Sequence, residues 1–88
     1  MSIIITSRFK RDVKLAQKRK YDVEKLKELI VLLHNHETLS YAHRDHQLKG
    51  QLSECRECHI GPDWLLIYRY DGDDLILERT GSHSDLFK

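Results

Sequence analysis

Six histidines in a chain of 88 residues are the chemical feature that stands out in this sequence. His46, His59 and His83 lie in its second half, and Asp63 follows the only proline. An imidazole titrates near neutral pH, so a histidine can take a proton in one step and give it in the next. We therefore predict a proton-transfer site that uses these four residues. The alternatives are a structural role for each histidine and turn chemistry for Asp63.

Cationic and aromatic side chains are interspersed among these histidines. Lys49, Arg56 and Arg79 offer positive charge for a phosphate, and Trp64 and Phe87 offer rings on which a base can stack. Metal-free RNA cleavage requires this combination. One group takes the proton of the ribose 2′-OH, another protonates the leaving oxygen, and cations stabilise the charge on the phosphorus centre.

Three of these side chains have structural alternatives. Trp64 begins an apolar strand, where an indole is more often core than stacking platform. Phe87 could close the hydrophobic layer, and Arg79, next to Glu78, could pair with a carboxylate instead of a phosphate. The sequence leaves these alternatives open.

A metal-stabilised module is the main rival to this chemistry. Cys55, Cys58 and His59 lie close together, but a structural zinc site normally needs a second knuckle-like pair. The candidates for that pair are His43 with His46, or His34 with His36. Strand alternation would put the two cysteines on opposite faces, where a disulfide would be strained. We favour a site without metal or cofactor.

The length of the chain predicts one domain over residues 1–88, whose small core can offer a groove rather than an enclosed cavity. Its apolar start, Met1 to Thr6, is too short for a signal peptide. No stretch approaches the ~20 apolar residues of a membrane span. We therefore expect a cytoplasmic protein with no membrane partner.

The net charge of +1 conceals a basic segment near the N-terminus. Residues 8–27 carry nine Lys and Arg against three acids. Such a segment is typical of a surface that faces a polyanion, and a solvated helical face explains it equally well. The candidate RNA-binding cations of the first helix are Lys10, Arg11, Lys14, Lys18, Arg19 and Lys20.

Hydrophobic periodicity predicts the elements that must position these residues. The N-terminal elements are a strand over Ile3 to Ile5, a helix from the cap Ser7 to about Lys20, and a second helix from the cap Asp22 to about Asn35. Residues 37–54 predict a long loop, and strands follow over 55–60, 64–70 and 75–80 before a polar tail. The predicted class is α+β, with a helical hairpin on one face of the sheet.

Four motifs carry a resemblance to a known family. They are RDVKLAQKR at residues 11–19, DHQLKG at 45–50, CHIGPDWLLIY at 58–68 and ERTGSH at 78–83. In this order they closely resemble the YafQ-type toxins of the RelE superfamily and span nearly the whole chain. The resemblance implies the microbial RNase-like RelE fold: an N-terminal strand, a two-helix hairpin and an antiparallel three-stranded meander that completes one sheet.

The resemblance also implies an activity. Toxins of this family belong to type II toxin–antitoxin systems, enter the ribosomal A site and cleave translated mRNA without a metal, using the 2′-OH as nucleophile. Their catalytic set corresponds to His46, His59, Asp63 and His83, and His83 is the implied general acid. Trp64 and Phe87 lie beside that set, Arg79 is the implied phosphate contact, and the cations of the first helix would grip ribosomal RNA. No role is implied for His43, Cys55 or Cys58.

The implied partners are an antitoxin, the 70S ribosome and its mRNA. The antitoxin would be a DNA-binding dimer of the DinJ/RelB type whose C-terminal segment wraps the toxin. Operator DNA would be bound only through that antitoxin. The alternative function is a catalytically silent member that acts mainly as an antitoxin-binding co-repressor.

Overall fold

The computed structural model describes residues 2–87 and confirms the predicted α+β class. The helices are α1 (Ser7–Lys18), α2 (Val23–His34) and α3 (His83–Leu86). The strands are β1 (Ile3–Ile5), β2 (His46–Gln47), β3 (Arg56–Gly61), β4 (Trp64–Asp71) and β5 (Asp74–Gly81). Single 3-10 turns occupy Tyr41–His43 and Gly50–Leu52.

The described strands form one five-stranded sheet in the order β1-β5-β4-β3-β2. β1 runs parallel to β5, and the remaining neighbours are antiparallel. The prediction of a plain loop over residues 37–54 is wrong at β2, where His46 pairs with Glu57 and Gln47 with Arg56. Two residues are too few to show a period of two, so this edge strand leaves no signal in the hydrophobic pattern.

The first helix begins one residue earlier than predicted. Its N-cap is Thr6, whose hydroxyl accepts the Phe9 N–H at 3.0 Å, and Ser7 is already helical. The same hydroxyl donates to the Glu78 carbonyl of β5 at 3.0 Å, which ties the start of α1 to the sheet. Asp22 caps α2 as predicted, accepting the Glu24 N–H at 3.2 Å.

Both long helices pack on the same face of the sheet. Phe9 and Ala16 of α1 and Leu29 of α2 are buried among strand residues such as Leu66 and Leu77. Cys58 belongs to this core, whereas Cys55 lies on the other side of the sheet beside Ile67 and Arg69. Both cysteines are free thiols whose pKa is raised by burial. Their separation excludes a two-cysteine zinc knuckle.

The predicted polar tail is a further correction, because residues 83–86 form the helix α3. Ser82 and Asp85 make a capping box: the Asp85 N–H donates to the Ser82 hydroxyl at 3.1 Å, and the Ser82 N–H donates to the Asp85 carboxylate at 2.9 Å. One helical turn is too short for hydrophobic periodicity to reveal it. Within residues 2–87, no helix has the length and apolar content that crossing a membrane demands.

Thr6→Ala is expected to destabilise the protein by about 1 kcal/mol, because it removes the α1 cap. Ser7→Ala is the matched control and should change the free energy of unfolding by less than about 0.5 kcal/mol. Urea unfolding followed by circular dichroism measures both. Equal effects of the two substitutions would contradict the assignment of the cap to Thr6.

Candidate active site

The strand register brings distant polar residues together on the face of the sheet opposite α1 and α2. His46 pairs with Glu57, Glu57 with Ile67, and Ile67 with Arg79, so these four residues form one row across β2 to β5. Residues directly opposite one another in neighbouring antiparallel strands point to the same face. The row therefore joins a histidine, a buried carboxylate and an arginine.

A second row lies beside the first. His59 pairs with Leu65, and Leu65 pairs with Gly81, which is two residues before His83. The imidazole rings of His59 and His83 lie 5.9 Å apart between their centroids. Three of the four predicted proton-transfer residues, His46, His59 and His83, thus converge around Glu57.

Asp63, the fourth, holds His83 from the turn between β3 and β4. Its Oδ1 atom accepts the His83 backbone N–H at 3.0 Å and lies 2.6 Å from the ring Nδ1. The backbone hydrogen bond and then the imidazole hold the pKa of Asp63 below its ordinary value. Asp63 is therefore a carboxylate at neutral pH, and it favours a proton on Nδ1, which leaves Nε2 directed away from this hydrogen bond.

Glu57 is the site residue that the sequence analysis missed. Its side chain is 7% exposed, and its Oε1 lies 3.6 Å from His46 Nε2. His46 Nδ1 lies 2.7 Å from the Arg44 carbonyl, which orients the ring towards Glu57. Strand alternation was the available signal, since it places Glu57 on the same face as His59.

An open groove of about 350 Å³ lies on the same face, and its lining includes Ile67 and Arg79 of the first row. Its charged lining consists of three arginines and two glutamates: Arg8, Arg69, Arg79, Glu54 and Glu78. Arg79 pairs with Asp12 of α1 at 2.7 and 3.2 Å, and Arg69 pairs with Glu78 at 2.7 Å. Arg79 therefore pairs with a carboxylate, as the structural alternative predicted, and its partner is Asp12 and not the adjacent Glu78. Both guanidinium groups are about one-third exposed and retain N–H groups for a phosphate.

Several predicted binding residues lie away from the histidines. Trp64 is 7% exposed and belongs to the hydrophobic core. Its ring centroid lies 5.0 Å from that of Tyr21. The structure therefore favours the core role for Trp64 over a stacking platform. Arg56 and Cys58 are two residues apart on β3, so both point to the sheet face that the helices cover, whereas His59 points to the opposite face. Arg56 forms an ion pair with Asp45 at 3.3 Å.

The remaining candidates are peripheral. Lys49 is exposed just before the turn Gly50–Leu52, and Phe87 is 43% exposed directly after α3. Of the cations predicted for the first helix, Lys10, Arg11, Lys14 and Lys18 are exposed on α1, and Lys20 follows the helix. Arg19 differs from them, because its guanidinium binds Asp85 at 2.7 and 3.2 Å. His43, which had no predicted role, approaches the His59 carbonyl at 2.8 Å through Nδ1.

A transition-metal ion could be held by part of the same cluster. Glu57, His59 and His83 each offer one ligand atom, and these atoms lie within 4.8 Å of one another. Two imidazoles and one carboxylate suit zinc, copper or nickel. This group contains neither Cys55 nor Cys58, so it differs from the zinc site weighed from the sequence.

Comparisons with known proteins agree with this fold. The mRNA interferase toxin YafQ of Escherichia coli K12 is 45% identical over 83 residues, which cover 93% of this chain and 90% of that protein. The crystal structure of the E. coli DinJ-YafQ toxin-antitoxin complex matches with a TM-score of 0.90 and 44% identity, over 98% of this chain and 96% of that one. The crystal structure of a metal-bound toxin from Helicobacter pylori matches with a TM-score of 0.92 and 37% identity, over 99% of both chains.

The family model for YafQ, the bacterial toxin of type II toxin-antitoxin systems, matches residues 1–88. The match covers both rows of polar residues and the helices that support them. This chain belongs to the YafQ family of type II toxin–antitoxin toxins.

Proposed function

We propose that this protein is an mRNA interferase, a metal-independent endoribonuclease that cleaves translated mRNA in the ribosomal A site and so inhibits translation. The observation that carries the proposal is the Asp63–His83 pair beside His59 and Glu57 on an open sheet face. The E. coli relative carries the name mRNA interferase toxin, which supports the same reaction class. The protein would act in the cytoplasm, where ribosomes translate.

In the proposed reaction the 2′-oxygen forms a bond to phosphorus while the bond from phosphorus to the 5′-oxygen breaks. The 2′-OH proton passes to His46 or His59, the two imidazoles beside Glu57, which stabilises the imidazolium that results. His83 gives a proton from Nε2 to the leaving 5′-oxygen, while Asp63 holds its Nδ1–H. The products are a 2′,3′-cyclic phosphate end and a 5′-hydroxyl end.

The groove lined by arginines is the proposed path of the RNA backbone. Arg79 lies in the same row as His46 and Glu57, and Arg8 and Arg69 extend the positive lining. Phe87, exposed after α3, is the ring that remains available for stacking near His83. Lys49 and the exposed cations of α1 are proposed to hold ribosomal RNA, because they lie on the surface outside the groove.

The proposed protein partner is an antitoxin. The E. coli relative is found in a complex with DinJ, and this chain matches that structure over nearly its whole length. We propose a DNA-binding dimer of the DinJ/RelB type, through which the toxin reaches operator DNA. The antitoxin would prevent cleavage until it is removed.

Replacing the proposed acid should abolish toxicity. His83→Asn removes a group that can give a proton near neutral pH, and we expect cleavage to fall by about 10²- to 10⁴-fold. The measurement is growth arrest and mRNA 5′-end mapping after induction in bacteria that lack the antitoxin. His36→Asn is the matched control, since His36 stacks on Tyr70 away from the cluster and asparagine tolerates its φ of 54°.

Arrest with in-frame cuts at translated codons, lost in His83→Asn and kept in His36→Asn, is the expected pattern. Normal growth and uncut mRNA in cells that hold soluble wild-type protein would instead indicate the silent, antitoxin-binding alternative. Cuts that persist in His83→Asn would contradict the assignment of the acid.

A second candidate property is inhibition by a transition metal, because the H. pylori relative is metal-bound and Glu57, His59 and His83 can act as ligands here. A bound ion would occupy the nitrogen lone pairs that proton transfer needs. We expect TPEN, a chelator that removes transition metals and leaves ribosomal Mg²⁺ in place, to leave cleavage on programmed ribosomes unchanged, and micromolar Zn²⁺ to lower it. Glu57→Gln should weaken zinc binding measured by calorimetry by about 10- to 100-fold. Loss of cleavage in TPEN would contradict the metal-independent mechanism.

A further inference from the structure

His83 is the first residue of α3, a helix too short to hold its side chain in place by itself. The helix α3 has four residues, fewer than an isolated helix needs to be stable. The His83 side chain is also 56% exposed, so packing fixes it only in part. Its position must come from contacts that α3 makes with the rest of the protein.

Asp85 supplies the first of these contacts. The Oδ2 atom accepts the Ser82 backbone N–H at 2.9 Å and so closes the capping box at the start of α3. Gly81 makes room for this carboxylate, because a Cβ at position 81 would lie 2.9 Å from Oδ2. The carboxylate is therefore docked against the backbone that leads into His83.

Arg19 connects this carboxylate to the distant helix α1. Its Nη1 and Nη2 atoms donate to the two Asp85 oxygens at 2.7 and 3.2 Å, across 66 positions of sequence. Such a two-pronged pair fixes orientation as well as distance. The interaction with Arg19 holds the pKa of Asp85 well below its ordinary value, so the carboxylate is charged throughout the physiological range.

The helix α1 is a firm support for this contact. Asp12 of α1 binds Arg79 at 2.7 Å and accepts the Thr80 backbone N–H at 3.2 Å. The start of α1 is fixed by Thr6, and its apolar face is buried on the sheet. Arg19, at the C-cap, is thus the point at which a well-held helix reaches the short helix that carries His83.

We propose that Arg19 and Asp85 are positioning residues that set the orientation of the His83 imidazole for the cleavage proposed above. His83 is then held from two sides, by Asp63 at its Nδ1 and by the Arg19–Asp85 pair through the backbone of α3. The inference rests on the proposed function for its catalytic consequence. It replaces a direct RNA contact, the role that the sequence predicted for Arg19.

Arg19→Gln and Asp85→Asn should have the same effect if both act through His83. We expect each to lower the maximal single-turnover cleavage rate on programmed ribosomes about tenfold, with little change in the toxin concentration that gives half of that rate. The double variant should be no slower than Asp85→Asn alone, since that variant already lacks the Arg19–Asp85 pair. Arg19→Lys keeps the charge without the two-pronged geometry and should recover part of the rate.

Lys27→Gln is the matched control. It removes an exposed ion pair with Glu24 on α2, at 3.4 Å, which the proposed cleavage does not use. Its cleavage rate should equal that of the wild type. Thermal unfolding of every variant identifies any loss of rate that comes from unfolding.

A spectroscopic measurement tests the positioning without any cleavage assay. Long-range ¹H–¹⁵N correlation spectra of the metal-free protein report which nitrogen of neutral His83 carries the proton. The wild type should show the Nδ1–H form that donates to Asp63, and both single variants should shift towards the Nε2–H form. This measurement keeps its meaning even if the wild type cleaves no RNA, so it separates failure of the positioning from failure of the proposed function.

Two results would overturn the inference. One is an unchanged His83 tautomer in both single variants. The other is a raised half-saturating concentration in Arg19→Gln together with unaltered cleavage in Asp85→Asn, which would identify Arg19 as a direct RNA contact.

Discussion

The antiparallel pairing of β4 with β3 and β5 is the constraint on which the rest of the site depends. It places His59 opposite Leu65 and Leu65 opposite Gly81, so residues more than 20 positions apart become neighbours. The register is itself set by burial, because Leu66 and Tyr68 must face the helices. A slip of one residue would turn His59 and Glu57 into the core and destroy both the core and the cluster.

Ion pairs among helices and strands fix the positions of the elements around the sheet. Arg79 joins β5 to α1, Arg19 joins α1 to α3, and Arg69 joins neighbouring strands through Glu78. Partly exposed pairs of this kind contribute little to the free energy of unfolding. Their value is geometric, since each fixes a side chain or an element at the rim of the face that carries the histidine cluster.

The two faces of the sheet carry different groups: one packs against the helices, and the other carries the candidate active site. The helical face holds the hydrophobic core, which includes Trp64. The opposite face holds Glu57, His59 and the groove lined by arginines. A chain of this size can therefore carry an extended, open site without an enclosed cavity.

The sequence by itself determined the element types, the helical face and the family. Hydrophobic period is a local property, so β1, α1, α2 and the three long strands could be predicted to within a few residues of their observed ends. The motifs around His46, His59, Asp63 and His83 were sufficient to predict the YafQ family, which the family model confirms.

Only the tertiary structure decided which side chains meet. Asp12 as the partner of Arg79, Asp85 as the partner of Arg19, and the burial of Trp64 against Tyr21 all join residues more than 40 positions apart. Local periodicity assigns a side chain to a face but carries no information about what lies across that face. The elements β2 and α3 were missed for a related reason, because two to four residues are held by pairing and capping and show no period of their own.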